Sequence, residues 1–391
     1  MTETYPPEIN GVALTLAHLV NGLRQQGHTV SVVRPRQQNF DGRSCSDDPA
    51  VTLVPSLPLP GYKGLQVGLP AGGVLRRCWT RHRPEVVYVA TEGPLGWSAV
   101  RVARHLGIPT FSGFHTNFHS YTEHYHLARL RLLILRYLCG FHNRTIGTVV
   151  ASADLRDRLQ TMGVKNVSVI GRGVDSRLFT PKRRSSALRH TWCASEGDLV
   201  VLYVGRLAPE KNLELTIASY RAMQRLNNAV KFVIVGDGPL RAPLQKRHPD
   251  LIFCGVHKGE ELAKRYASAD IFLFPSETET FGNVTLEAMA SGLMVVAYDY
   301  AAARMHITHG ETGVLVPYGD SQAFVRAAAK LAREPQSLAK MRKQACMHAT
   351  SLDWQRVVDR FAALLTGALN QHDTASTEIA AGALHRTALN Y

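Results

Sequence analysis

The chain holds only six cysteines in 391 residues, at positions 45, 78, 139, 193, 254 and 346, and no two of them form a Cys-x-x-Cys pair. That scatter argues against a disulfide framework and a thiolate zinc site, and for a reducing cytoplasm. No two aspartates are separated by a single residue. A paired-carboxylate metal site of that spacing is therefore missing, and no metal is expected. No apolar stretch of about 20 residues and no secretory leader is present. The expected location is the cytoplasm or the cytoplasmic face of an inner membrane. Neither half has a Gly-x-Gly-x-x-Gly turn after its first strand with an acidic residue about 20 positions on, which excludes a dinucleotide oxidoreductase. No internal repeat suggests a solenoid. No aromatic-interleaved RNA motif or helix-turn-helix pattern occurs, so no nucleic-acid partner is expected.

What is present is enough apolar material for two cores, with 45% hydrophobic and 8% aromatic residues. Strands alternate with helices, which predicts an α/β chain of two doubly wound halves. The first half has strands at His28 to Arg34, Val51 to Val54, Glu85 to Ala90, Ile108 to Phe114, Thr145 to Ala151 and Val167 to Ile170. The second has them at Leu199 to Val204, Lys231 to Val235, Leu251 to Cys254, Asp270 to Phe274, Val295 to Tyr298 and Gly313 to Val316. The division expected is an N-terminal domain over 1–180, a linker over 181–196 where Pro181-Lys-Arg-Arg interrupts the pattern, a C-terminal domain over 197–350, a last helix over 351–369 and a disordered tail over 370–391.

Charge is unevenly spread. Residues 1–185 carry 23 Lys and Arg against 11 Asp and Glu, a net of +12, leaving +2 for the remainder. Arg76, Arg77, Arg81 and Arg83 share one predicted helix, and Arg129, Arg131 and Arg136 edge a second, strongly apolar one. Such helices can lie on anionic lipid, giving an expected peripheral membrane contact. The apolar face of the second equally suits a core.

Chemistry concentrates in two segments. Glu279 and Glu287 have seven residues between them. The first is on the loop leaving a buried strand, and the second is in the helix that opens near Gly282 and Asn283. Unpaired N–H groups and the positive dipole end at that helix start suit a diphosphate. Glu279 can accept from sugar hydroxyls and Glu287 from ribose hydroxyls. The pair alone also fits capping and solvated charge. The second segment is a strand ending at Gly205 and Arg206, with Lys211 near the start of the next helix. Both cations lie at the carboxyl edge of a strand, where open parallel sheets bind ligands, and together they can neutralise a leaving nucleoside diphosphate. Gly236-Asp-Gly238 ends a neighbouring strand in a common turn.

A strand ending Gly-Arg, a Lys a few residues on, and then Glu, seven residues and Glu, here Gly205, Arg206, Lys211, Glu279 and Glu287, resembles the C-terminal domain of retaining glycosyltransferases of family 4. The similarity covers nearly the whole chain. It implies the GT-B fold, two facing Rossmann-like doubly wound domains with a deep interdomain cleft. It also implies that Arg206 and Lys211 hold the diphosphate, Glu279 orients the donor sugar and Glu287 binds ribose. The implied activity is metal-independent transfer of mannose or glucose from a nucleoside diphosphate sugar, GDP-mannose or UDP-glucose, to an acceptor hydroxyl, giving an α-glycoside. The opening segment and Phe-His-Thr-Asn-Phe are similar to those of glycolipid-forming members, so a lipid such as diacylglycerol is the expected acceptor. A soluble or polysaccharide acceptor, or a catalytically silent nucleotide-sugar-binding protein, is the alternative. The family's proline in Gly-Leu-Pro is Met294 here.

In the N-terminal half, Thr4 to Ala13 is an irregular Pro and Gly segment leading into an amphipathic helix, where Gly11 would let backbone approach a phosphate closely. A plain helix-start turn fits that segment equally. His115 and Thr116 sit on a loop after a strand, and the family likeness places a histidine there near the reacting centre. Base and sugar selection is expected to depend on loop positions such as Glu92 and Gly255 to Lys258. Relatives open with an apolar strand where this chain has only Met1-Thr-Glu3, so a late start codon or a truncation is expected.

Overall fold

A computed structural model describes residues 1–8, 10–37, 50–58, 66–115, 128–333, 335–367 and 369. The chain forms two compact units. One comprises Met1–Gly171 with the described residues from Gln355 onward, and the other is Arg172–Trp354.

In the first unit, β1 (Val32–Pro35) and β2 (Val51–Val54) pair in parallel, and β3 (Ser56–Pro58) and β4 (Gln66–Gly68) pair antiparallel. A four-stranded parallel sheet follows, β5 (Val87–Val89), β6 (Thr110–Phe114), β7 (Gly147–Val150) and β8 (Val167–Val169), in sequential order. Residues 1 and 2 lie between the two parallel groups, the Thr2 N–H donating to Val33 O (3.0 Å) and the Ala90 N–H to Met1 O (2.9 Å). Side chains alternate across the pleat, so Val32 and Val33 feed different cores. Val32 joins Leu16, Leu19 and Leu23 of the helix Gly11–Gln25, while Val33 joins Leu75, Leu95 and Val100.

The helical residues 355–367 complete this unit. Val358, Phe361 and Leu365, spaced for one helix face, are buried in the same core as Leu16 and Leu23. Gly22 is what lets the two helices close, because a Cβ there would come 2.4 Å from Val358 Cγ2.

The second unit holds β9 (Val200–Val204), β10 (Lys231–Val235), β11 (Ile252–Gly255), β12 (Ile271–Phe274), β13 (Met294–Tyr298) and β14 (Val314–Val316). All are parallel, in the order β11-β10-β9-β12-β13-β14. The strands read as unbroken apolar runs because helices cover both faces. The order reverses between β9 and β12, and the crevice beyond their carboxyl ends is where such sheets take ligands. Met294 is the first residue of β13, and its N–H donates to Asp270 O at 2.9 Å. A proline could not make that bond.

Residues 181–196, expected as a linker, are instead built into the second unit, and the division falls between Gly171 and Arg172. A 3-10 turn, Pro181–Arg183, and the helix Ser186–Thr191 occupy the segment. Its arginines turn inward. The fully buried Arg189 reaches Asp270 Oδ2 (3.0 Å) and the carbonyls of Ser195, Asp198 and Ser268. Arg184 and Arg342 meet Asp270 Oδ1 at 3.2 and 3.0 Å. Val200 N–H completes the set at 2.9 Å. One buried carboxylate at the head of β12 thus gathers three guanidinium groups. The tail over 370–391 lies outside the described residues.

Candidate active site

The loops leaving β9 and β12 are fastened to each other. Gly205 ends β9 at φ 158, and a Cβ on Gly236 would fall 1.9 Å from Gly205 O. Leu207 N–H donates to Asp237 O (2.9 Å) and Leu240 N–H to Leu207 O (3.0 Å). The glycine turn after β10 is thus the bed on which the Gly205–Leu207 loop rests, although its sequence looked ordinary.

Beyond it, the turn Pro209–Lys211 ends at Asn212 in a left-handed conformation, φ 53, which Asn tolerates better than most residues. Glu277 N–H donates to Glu210 O (3.2 Å), and the Asn212 amide donates to Glu277 Oε1 (2.9 Å). Lys211 is thereby set against the loop after β12. Its Nζ lies 2.5 Å from Glu279 Oε1 and also donates to Thr278 O (2.9 Å) and Ser276 Oγ (3.3 Å). The Ser276 hydroxyl donates to the same Glu279 oxygen at 2.8 Å. Lys211 and Glu279 keep 17% and 16% side-chain exposure, so the pair is shielded yet reachable. Arg206, 57% exposed, stands 4.0 Å from Glu210 and is otherwise turned to solvent.

Gly282, at φ 92, starts the helix Asn283–Ala290 and offers no capping side chain to its first turn. A Cβ there would sit 3.6 Å from Glu279 Cγ, which places the helix start beside the ion pair. Asn283 Oδ1 is buried and makes no hydrogen bond. Glu287 is half-buried in the same helix and accepts from the Tyr266 hydroxyl at 2.9 Å. Burial pushes its carboxyl up to about 7, against the opposing effect of that bond. The phenols of Tyr203 and Tyr266 are held well above their ordinary range by burial first and by nearby glutamates second, so both remain donors. Tyr300 donates to Glu279 O at 2.9 Å and fixes the loop from the β13 side.

The structure therefore gathers Gly205, Arg206, Lys211, Glu279, Gly282, Asn283 and Glu287 at one sheet edge of the second unit. His115 and Gly11 belong to the first unit. His115 follows β6 and its Nε2 is 2.9 Å from the Tyr88 hydroxyl. Thr116 lies outside the described residues. Gly11 heads a helix that is already capped, since Asn10 Oδ1 takes the N–H groups of Val12 (3.0 Å) and Ala13 (2.8 Å). Of the two helix starts expected to face phosphate, the one at Gly282 is thus uncapped and the one at Gly11 is closed by its own chain. Sequence reasoning missed Ser276, Tyr203, Tyr266 and Tyr300. Only Ser276 left a signal, as a small hydroxyl between a buried strand and a candidate glutamate.

Two family models match the chain, Glycosyltransferase Family 4 over residues 9–178 and Glycosyl transferases group 1 over residues 198–334. A GDP-mannose-dependent alpha-mannosyltransferase of Mycobacterium tuberculosis is 34% identical over 342 residues, covering 87% of this chain and 89% of the relative. An alpha-monoglucosyldiacylglycerol synthase of Streptococcus pneumoniae is 27% identical over 76% of this chain and 70% of its own. Among solved structures, sucrose-phosphate synthase of Thermosynechococcus elongatus superposes with a TM-score of 0.74 at 18% identity over 95% of both chains. Anabaena HepE bound to UDP and glucose gives a TM-score of 0.70 at 19% identity, over 93% of this chain and 98% of its own. These likenesses, with the parallel sheets of both units, establish the GT-B fold. With its carboxylate pair at the required interval and its Gly-Arg strand end, the chain belongs to glycosyltransferase family 4 and is a retaining hexosyltransferase.

Proposed function

We propose that this enzyme transfers mannose from GDP-mannose to the hydroxyl of a lipid acceptor, with retention and without a metal ion. The observation that carries the site assignment is the Lys211–Glu279 pair, bridged by Ser276 and set beside the uncapped helix start at Gly282. Lys211 and Arg206, with the first-turn amides of Asn283 and its neighbours, meet the donor diphosphate. Glu279 accepts from hexose hydroxyls, and Glu287 accepts from those of the ribose. By the family likeness, His115 is assigned to the reacting sugar. As the bond from the anomeric carbon to the diphosphate breaks, the acceptor oxygen bonds to that carbon from the same face. The acceptor proton passes to the departing phosphate oxygen. The cations stabilise the charge that grows there, which is where preorganised electrostatics contributes most.

The mannosyltransferase relative supports GDP-mannose as donor over UDP-glucose, and the diacylglycerol-modifying relative supports a lipid acceptor. Among the described residues no helix is long and apolar enough to cross a membrane. Peripheral contact is supported by the helix Ala128–His142, where Leu132 and Leu133 are each 61% exposed beside the exposed Arg136. The side chains of Arg129 and Arg131 lie outside the described residues. The test is nucleotide release from GDP-mannose and UDP-glucose in EDTA, with and without vesicles containing diacylglycerol. Vesicle-stimulated release from GDP-mannose supports the reading. Release from UDP-glucose alone overturns the donor, and release that vesicles do not affect overturns the lipid acceptor.

A further inference from the structure

We propose that the buried Tyr266 is the positioning residue of Glu287, holding one carboxylate oxygen so that the other accepts from the ribose hydroxyls, and that ribose recognition depends on this contact. The proposal deepens the glycosyltransferase reading, rests on its assignment of Glu287, and concerns the second unit alone.

Tyr266 lies in the helix Gly259–Ser268, which precedes β12, and Glu287 in the helix Asn283–Ala290, which follows it. The two helices pack against each other. The Tyr266 side chain is wholly buried, and its ring meets Phe179 at 5.6 Å between centroids and Phe272 of β12 at 5.9 Å. Phenylalanine would fill such a place as well, so the hydroxyl calls for a partner of its own. It donates to Glu287 Oε2 at 2.9 Å, and among the described residues Glu287 has no other hydrogen-bond partner. Three side-chain torsions separate a glutamate carboxylate from its backbone, so without an anchor its oxygens spread over several rotamers. With Oε2 fixed, Oε1 is confined to one place and is left for a ligand. An ionised carboxylate only accepts, and the two hydroxyls of a ribose are donors of the matching kind.

Electrostatics gives the contact a second role. Burial pushes the Glu287 carboxyl up to about 7, and the Tyr266 bond opposes that rise. A hydrogen bond donated to the charged form favours it, so Tyr266 keeps the carboxylate ionised at lower pH than burial alone would allow. The titratable groups that act on the pair are the two partners themselves and Tyr203 of β9. Tyr203 is also wholly buried, and Glu279 and Glu210 act on it in turn. Its hydroxyl is committed elsewhere, donating to Arg206 O at 3.1 Å. Of the two buried phenols, one thus serves the loop that carries Arg206 and the other serves Glu287.

The experiment measures binding of GDP and of its dideoxy analogue, which lacks both ribose hydroxyls, by calorimetry from pH 5.5 to pH 9. The ratio of the two dissociation constants cancels the base and the diphosphate together with their own titration. In the wild type the analogue should bind about tenfold more weakly at pH 8, and the ratio should fall as pH drops through about 7. In Tyr266→Phe the ratio at pH 7 should be about threefold or less, and its rise should move to higher pH. Tyr203→Phe also removes a buried hydroxyl and should keep the wild-type ratio. If Tyr266→Phe does not fold, 3-fluorotyrosine in place of Tyr266, a stronger donor of nearly the same shape, should move the rise to lower pH. A wild-type ratio and pH profile in Tyr266→Phe or with the fluorinated residue, or an equal loss of the ratio in Tyr203→Phe, overturns the proposal. A wild-type ratio near one, or a ratio that Glu287→Gln leaves unchanged, overturns the assignment of Glu287 to ribose instead, and this proposal falls with it.

Discussion

Lys211 Nζ and Glu279 Oε1 are 2.5 Å apart, so each is the other's partner before any donor arrives. The cation proposed to hold the diphosphate and the carboxylate proposed to orient the sugar neutralise each other. Donor binding has to share or exchange that contact.

Glu279→Gln should therefore separate binding from turnover. Freed of its counter-charge, Lys211 should hold GDP roughly fivefold tighter, the scale of a partly screened ion pair. Transfer should fall by about a hundredfold or more. Calorimetric titration with GDP alongside a transfer assay reads both. Weaker GDP binding in this variant would show that the pair is not in competition with the nucleotide.

Glu287 links stability to pH. Its folded-state value of about 7 lies above the ordinary 4.5, so between those two values the folded protein binds the extra proton. Stability from this group is full below about 4.5 and is lost as pH rises through 7, by no more than about 3 kcal/mol. Glu287→Gln removes the titration and keeps an acceptor for the Tyr266 hydroxyl. Its melting temperature relative to wild type should rise between pH 5 and pH 8, and a gap independent of pH would contradict the assignment.

Asp270 holds Arg184, Arg189 and Arg342 together. Replacing it by Asn leaves buried guanidinium charge uncompensated, and about 3 to 5 kcal/mol should be lost. Chemical denaturation of the two proteins measures this. A loss under about 1 kcal/mol would mean that the arginines are satisfied by the neighbouring carbonyls alone.

Gly236→Ala tests the bed beneath the Gly205 loop. The new Cβ would have to displace Gly205 O, 1.9 Å away, at a backbone φ of 139. GDP binding should weaken by about tenfold or more with the rest of the fold kept, since a small shift at a binding loop is costly. Unchanged affinity would show that the loop tolerates the movement.

The strand ends were legible because residue type and position agree there. A glycine and an arginine after a buried apolar run, and two glutamates around a helix start, signal one sheet edge from sequence alone. Arg184, Arg189 and Arg342 were not legible, since a basic run looks solvated until its carboxylate partner, here 81 residues from Arg189, folds beside it. Tyr266 and Tyr300 act through single hydroxyls donated over 21 residues, and no periodicity marks that contact. Asn10 was passed over for Gly11. Asn is among the strongest N-caps, and its oxygen takes the amides that the glycine was expected to expose.

The burial of Val358, Phe361 and Leu365 in the core that also holds Leu16 and Leu23 sets an order of assembly. Residues 172–354 form one continuous stretch and can close their sheet as soon as they are made. The first unit, though its strands are made earlier, has to wait with one core face uncovered until residues 355–367 have followed. On the ribosome the second half of this protein should thus become native before the first.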